Sequence, residues 1–465
     1  MPVPLSRLQK QLVNFDPEGV MLIRGQPGSG KTTVLLERAR MLLRAYPRAT
    51  VLLLAYNEAL AARARHHLGD GPAPGRLAVR TLHGWAKALA EHEQVTFTNR
   101  FWADSTTRER FLKHILERPP ADLAGTRMAR WTPQQWSNEV EWLIGQDLQT
   151  LEAYLAAPRN GRGRAGSPLR AERDRVWPVF EQYRRELAAK GRHDLEDILG
   201  LIGKAAARSG KPLPQKASFD FVLVDEVQDL HLAWLKAVAS VARVGTTFAG
   251  DFAQRIYRRQ FTWKAAGIEL PPARSRMLPG SFRNPRAIIE LAARVLGQGD
   301  GAGNLGYELP DPAGLPADGQ EHVFLDQHPL AREARRMALA RARALWAGGR
   351  DVVVAAPFKR LAEEAVATLT ESGAGAVHLQ RAELAERSGE RVPVTTFHQM
   401  KGLECQDIVL LGLEDALYPG WFLQGLDGPE AADKLEELRS LLYMVVTRAR
   451  ETVGLCIGGA ACRFL

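Results

Sequence analysis

Gly25-Gln-Pro-Gly-Ser-Gly-Lys-Thr-Thr33 decides the fold class of this chain. It has the spacing G-x-x-x-x-G-K-[ST], with Gly25, Gly30, Lys31 and Thr32 on the required positions. Glycines there let successive backbone N–H groups turn inward and cradle phosphate oxygens, so Gln26, Pro27, Gly28, Ser29 and Thr33 join them as expected ATP contacts. The Lys31 ammonium reaches the β- and γ-phosphates, and the Thr32 hydroxyl is a ligand for Mg2+. Upstream, Gly19-Val-Met-Leu-Ile-Arg24 is a short apolar run that fits a buried strand. Downstream, Thr33 to Leu43 is apolar at helical spacing, which puts the loop at a helix N-terminus, where the dipole favours anions.

A phosphate loop needs a metal-holding carboxylate at the end of a neighbouring strand. Asp225 follows the apolar run Phe221-Val-Leu-Val224 and is itself followed by Glu226. Asp225 would hold Mg2+, directly or through water, and Glu226 would polarise the attacking water as general base. Val51 to Tyr56, Phe221 to Asp225 and Thr246 to Gly250 suit a parallel sheet covered on both faces. Asp351 to Ala356, Val392 to Phe397, Asp407 to Gly412 and Thr452 to Ile457 form a second such set, so two α/β domains follow. Between them, from Trp85 to about Leu201, the pattern becomes helical and rich in tryptophan. The expected division is therefore residues 1–85 with 202–277, a helical insertion at 86–201, and a second domain at 278–465. Ala331 to Trp346 carries arginines at helical spacing and reads as a solvated helix face.

The net charge of +9 points to a polyanionic partner. Three cysteines without close spacing give neither a disulfide framework nor a zinc site. There is no signal segment and no apolar run long enough to span a membrane, so a cytoplasmic monomer is expected. The basic segment Arg159 to Arg164 reads equally as a phosphate-tracking loop or a solvated one.

The wider string Asp225-Glu-Val-Gln-Asp229 resembles the DExQD box of superfamily 1A helicases of the UvrD, PcrA and Rep type. Other motifs follow in the family's order across nearly the whole chain. Leu5-Ser-Arg-Leu-Gln9 resembles the adenine-reading motif, with Gln9 as reader. Tyr56-Asn57 and Thr81-Leu-His-Gly-Trp85 resemble the first two strand-contacting motifs. Gly250-Asp-Phe-Ala-Gln-Arg-Ile-Tyr257 resembles GDxxQSIY, which implies that Gln254 senses the γ-phosphate. Ser281-Phe-Arg283 resembles the NYR motif, with Phe282 on adenine and Arg283 on the γ-phosphate. Thr396-Phe-His-Gln-Met-Lys-Gly-Leu-Glu404 resembles TxHxxKGLE, whose glutamate, here Glu404, binds ribose; Val446-Thr-Arg-Ala449 resembles VTRA, whose arginine, here Arg448, acts as a finger. The resemblance implies two RecA-like domains and ATP hydrolysis stimulated by single-stranded DNA, with 3′ to 5′ movement.

Charge that builds on a transferring phosphoryl group needs cations beyond Lys31 and Mg2+. Arg283 and Arg448 belong to the second domain, so they meet the γ-phosphate only when the cleft closes. Unpaired strands are gripped by aromatic stacking and by cations on phosphate. Tyr56, Asn57, His83, Tyr257, Arg259, Trp263 and His398 are the candidates, Tyr56 serving equally well as core. The chain departs from the family at Arg259, where a tryptophan is usual, and Trp263 offers a replacement ring. It also lacks room for the family's 2B subdomain between Arg283 and Thr395, and Glu451 to Leu465 is barely long enough for a final strand. Two functions stay open: a compact 3′ to 5′ translocase or helicase, and an ATP-controlled DNA-binding subunit that recruits a nuclease or repair partner. A metabolite kinase would leave the Asp225–Asp229 string and the distal arginines unexplained.

Overall fold

The computed structural model describes residues 4–55, 58–68, 75–92, 102–157, 168, 170–194, 197, 199, 218–252, 262–297, 312, 315, 320–379, 391–424 and 428–465. Two six-stranded sheets organise it. The first has the order β3-β2-β6-β7-β1-β8, with β1 at Gly19–Gly25, β2 at Val51–Ala55, β3 at Leu77–Thr81, β6 at Phe219–Val224, β7 at Ala242–Gly250 and β8 at Ser275–Leu278. The second has the order β11-β12-β10-β13-β14-β9, with β9 at Val323–His328, β10 at Val352–Ala356, β11 at Ala376–His378, β12 at Val392–Thr396, β13 at Cys405–Leu410 and β14 at Ala449–Gly458. Every pairing in both sheets is parallel. Parallel strands need crossover helices, and helices then cover both faces. Hence the inner strands read as continuous apolar runs: all five residues of β2 and of β10 are buried.

Each face of the first sheet has its own core. Val34, Leu35, Leu42, Ile23 and Leu53 pack on one side; Leu52, Val224, Phe248, Trp234 and Trp85 pack on the other. The second sheet repeats this arrangement, the helix Gly428–Val446 covering one face and the helices Ala331–Ala347 and Lys359–Glu371 the other. The arginine-bearing helix Ala331–Ala347 buries only Ala334, Ala338, Leu339 and Ala342, because small residues at helical spacing let it lie close on the sheet. Its Arg341 forks onto Asp326 of the edge strand β9 at 2.9 Å.

A third core belongs to the helical insertion. Phe111, Leu112, Trp136, Val140, Tyr154, Trp177 and Phe180 form it, and the two-residue strands β4 (Trp102–Ala103) and β5 (His193–Asp194) close it off. Buried Arg108 forks onto Asp194 at 2.8 and 3.0 Å, and the Tyr183 hydroxyl donates to the same carboxylate at 2.5 Å. The expected edge of the insertion at residue 86 falls inside the helix Leu82–His92, whose Trp85, Ala86 and Leu89 pack in the first domain; the separate helical core starts at Ala103. No helix of the described residues is long and apolar enough to cross a membrane.

Candidate nucleotide site between the two sheets

Local sequence builds the loop. Gly30 caps the helix Lys31–Ala45 in the left-handed region at φ 86°, and Gly28 has φ 73°. A Cβ on Gly30 would stand 2.4 Å from the Gln9 amide nitrogen, and one on Gly28 would stand 2.3 Å from the Ser281 hydroxyl. Both positions therefore demand glycine for backbone conformation and for space. Gln9 is the third helical residue of Arg7–Val13 and closes a capping box with Ser6. Its carboxamide oxygen accepts from the Ser6 N–H at 2.9 Å, while its Nε2 donates to the Ser29 carbonyl at 3.2 Å. One side chain thus ends a helix and braces the loop.

Lys31 is buried and donates to the carbonyls of Gly25 and Gln26 at 2.8 and 3.0 Å. Burial pushes its ammonium below the ordinary lysine range, against the pull of Asp251, Glu226 and Asp225. The Thr32 hydroxyl donates to the Asp225 carboxylate at 2.6 Å. Burial, and then the neighbouring Glu226 charge, raise Asp225 above the usual carboxylate range. Burial also pushes on Glu226, but the charges of Lys31 and Arg448 outweigh it and leave Glu226 lowered, that is, ionised at neutral pH. Glu226 sits at φ 54°, a left-handed backbone that costs a non-glycine residue about 1–2 kcal/mol. Its carboxylate accepts from the Gln228 amide, and the Gln228 oxygen in turn accepts from the Asp251 N–H at 3.1 Å. That chain ties the ends of β6 and β7 together under the loop.

The second lobe completes the wall. The Phe282 N–H donates to the Gly28 carbonyl at 2.8 Å, which leaves its ring 61% exposed beside the loop. Arg283 donates to Glu404 at 2.5 Å, and Arg450 reaches the same carboxylate at 2.7 Å. Asn284 donates to the carbonyls of Thr447 and Ala449 at 3.1 and 2.6 Å, on either side of Arg448. Lys401 meets Asp229 at 2.5 Å, and the Tyr443 hydroxyl meets Asp251 at 3.4 Å, so the strings that follow β6 and β7 are gripped from across the cleft. Asn284, Lys401, Tyr443, Gln228 and Arg450 were not singled out from sequence. Four of them, all but Tyr443, stand inside or beside recognised motifs, and that adjacency is the available signal.

A cavity of about 630 Å3 results, within the usual range for a small-molecule site. Gln9, Lys31, Thr32, Asp225, Glu226, Phe282, Arg283, Glu404 and Arg448 all line it. The residues fit a nucleotide with Mg2+. Within the loop, the Gln26 amide and the Ser29 hydroxyl are buried with no hydrogen-bond partner among the described residues. Asp225 and the Thr32 hydroxyl would hold the ion together with phosphates and water.

The expected strand contacts and the expected γ-phosphate sensor Gln254 fall only partly among the described residues. Tyr56, Asn57, Gln254, Tyr257 and Arg259 lie outside the described residues, as does the Arg159–Arg164 loop. Trp263 packs against Phe248 of the first core at 5.1 Å, with its ring half-buried. His83 meets Trp234 edge-on at 5.2 Å. His398 is exposed just beyond the C-terminal end of β12.

Two family models match the chain. Residues 5–270 match the UvrD/REP helicase N-terminal domain, and residues 361–457 match the UvrD-like helicase C-terminal domain. DNA helicase II of Salmonella typhimurium (strain LT2) is 25% identical over 316 residues, and that of Escherichia coli (strain K12) is 24% identical over the same length. Each alignment covers 63% of this chain and 40% of the relative, so the matched region spans well under half the length of these proteins. A solved C-terminal domain of a possible DNA helicase from Lactobacillus is 15% identical, covers 40% of this chain and 92% of its own, and has a TM-score of 0.28.

Proposed function

This chain belongs to the UvrD/REP helicase family, and from that premise we propose that it is a DNA-stimulated ATPase that moves 3′ to 5′ along single-stranded DNA. The observation that supports this most is the shared cavity, in which Lys31, Asp225 and Glu226 of one lobe face Arg283, Glu404 and Arg448 of the other. A pocket walled by two lobes makes nucleotide occupancy and lobe closure one equilibrium.

In this reading Lys31 leaves the carbonyls of Gly25 and Gln26 and turns its charge to the phosphates. Asp225 and Thr32 would hold Mg2+, which, when bound, neutralises charge on the β- and γ-phosphates. Glu226, ionised and fixed by Gln228, orients and deprotonates the attacking water. Arg448 and Arg283 neutralise the developing charge from the far wall, the latter after Glu404 exchanges it for ribose hydroxyls. Gln9 and Phe282 hold the adenine between the loop and the second lobe.

A strand-displacement assay with the purified chain tests the reading. Displacement from a 3′-tailed duplex and not from a 5′-tailed one is the expected result. ATP turnover stimulated by the strand without any displacement would assign the chain instead to ATP-controlled DNA clamping; turnover indifferent to DNA would reject both.

A further inference from the structure

Three neighbouring strands of the second sheet, β12, β10 and β13, run parallel and end on one edge. The loops at such an edge are where α/β sheets place their ligands. Here they bring together a row of rings. Phe397, beside His398, meets Tyr418 at 5.4 Å; Tyr418 meets Phe422 at 5.7 Å; Phe422 meets Trp421 at 5.0 Å; Trp421 meets Phe358 at 5.4 Å. The row starts buried, at Phe397 and Tyr418, and surfaces at Trp421, which is 50% exposed. A large ring held from behind by other rings loses little further entropy when something stacks on its open face.

Cations surround the open end. Lys359 and Arg360 occupy the first turn of the helix Lys359–Glu371, directly after Phe358, with side chains 69% and 81% exposed. Positive charge there opposes the helix dipole, which favours anions at that end. Glu363 and Glu364 offset the cost only partly, at 3.4 and 3.6 Å on an exposed surface. The Lys434 ammonium lies 5.8 Å from the Phe422 ring and pairs with Glu437 at 2.8 Å. An open ring with exposed cations beside it fits a base and its flanking phosphates.

We propose that Trp421, backed by Phe358 and Phe422, is a stacking platform for an unpaired nucleobase and carries the strand from His398 across the second lobe. The inference rests on the strand-binding function proposed above. It is tested by titrating the full chain with a labelled thymidine oligonucleotide of about 16 residues and with an abasic oligonucleotide of equal length, for the wild type, Trp421→Ala and Trp421→Phe. Thermal melts show that each variant is folded. Trp421→Ala is expected to weaken thymidine binding roughly tenfold, Trp421→Phe much less, and the two alanine and wild-type curves are expected to coincide on the abasic strand. A salt-sensitive wild type that Trp421→Ala matches on both strands overturns the platform and leaves strand binding intact. An equal loss on both strands also overturns it, since stacking needs a base. A wild type that binds neither strand overturns the platform together with the function on which it rests.

Discussion

Glu226 is the residue on which chemistry and backbone strain meet. Its left-handed φ of 54° is one of two positive values among the described non-glycine residues, and the turn it makes aims the carboxylate into the cavity. Replacing it with Gln keeps the shape and removes the carboxylate proposed as the base. Glu226→Gln is therefore expected to bind ATP with near wild-type affinity while turnover falls by about 10²–10⁴-fold. Nucleotide titration and steady-state kinetics check this, and turnover within a few fold of wild type would dismiss Glu226 as the base. The role proposed for Glu226 is suggested by the sequence because two carboxylates directly follow an apolar run in a chain with a phosphate loop. Its neighbour Gln228 was not legible as a brace, since only the fold brings its oxygen to the Asp251 N–H. Asn284 shows the same limit: its bonds to Thr447 and Ala449 join positions far apart in sequence.

At the scale of elements, the loop and helix Lys31–Ala45 read from the sequence because glycine spacing and helical periodicity agree there. Gly30→Ala tests the local account. Its φ of 86° and the 2.4 Å approach to Gln9 leave no place for a methyl group. A stability loss of about 1–2 kcal/mol is expected from the backbone, with ATP affinity reduced at least tenfold; unchanged affinity would show that the loop adapts without Gln9. The helical insertion was visible as a change of pattern, yet its edge was not, because the helix Leu82–His92 has the same periodicity as those that follow and differs only in what it packs against. Inside the insertion, Arg108→Ala leaves Asp194 buried and short of its main partner. Urea unfolding is expected to show a loss of about 3–5 kcal/mol, and a loss below about 1 kcal/mol would mean that Tyr183 alone satisfies the carboxylate. The strands β9 and β11 escaped the sequence reading. Both lie at sheet edges, and β11 is three residues long, so neither carries the continuous apolar run that marks an inner strand.

At the scale of the molecule, the two-sheet architecture follows from alternating apolar runs and helices, and the order of motifs anticipates that both lobes share one pocket. What the order of motifs cannot supply is the set of contacts that hold the lobes together, Lys401 to Asp229, Tyr443 to Asp251 and Phe282 to Gly28. These bind the second lobe to the strings that carry the proposed catalytic groups, so a strand gripped by both lobes would act on the cavity through them. With a net charge of +9, strand affinity is expected to fall steeply between low and moderate salt, and a flat response would speak against backbone contacts. The central claim is that one cavity is catalytic only when Arg448 of the far lobe completes it. Steady-state ATP turnover of the wild type and Arg448→Ala, each with and without single-stranded DNA and with ATP affinity measured separately, tests this most directly. The account predicts strand-stimulated turnover in the wild type, a loss of about 10³-fold or more in Arg448→Ala, and similar ATP affinity in both. Full strand-stimulated turnover in Arg448→Ala would contradict it.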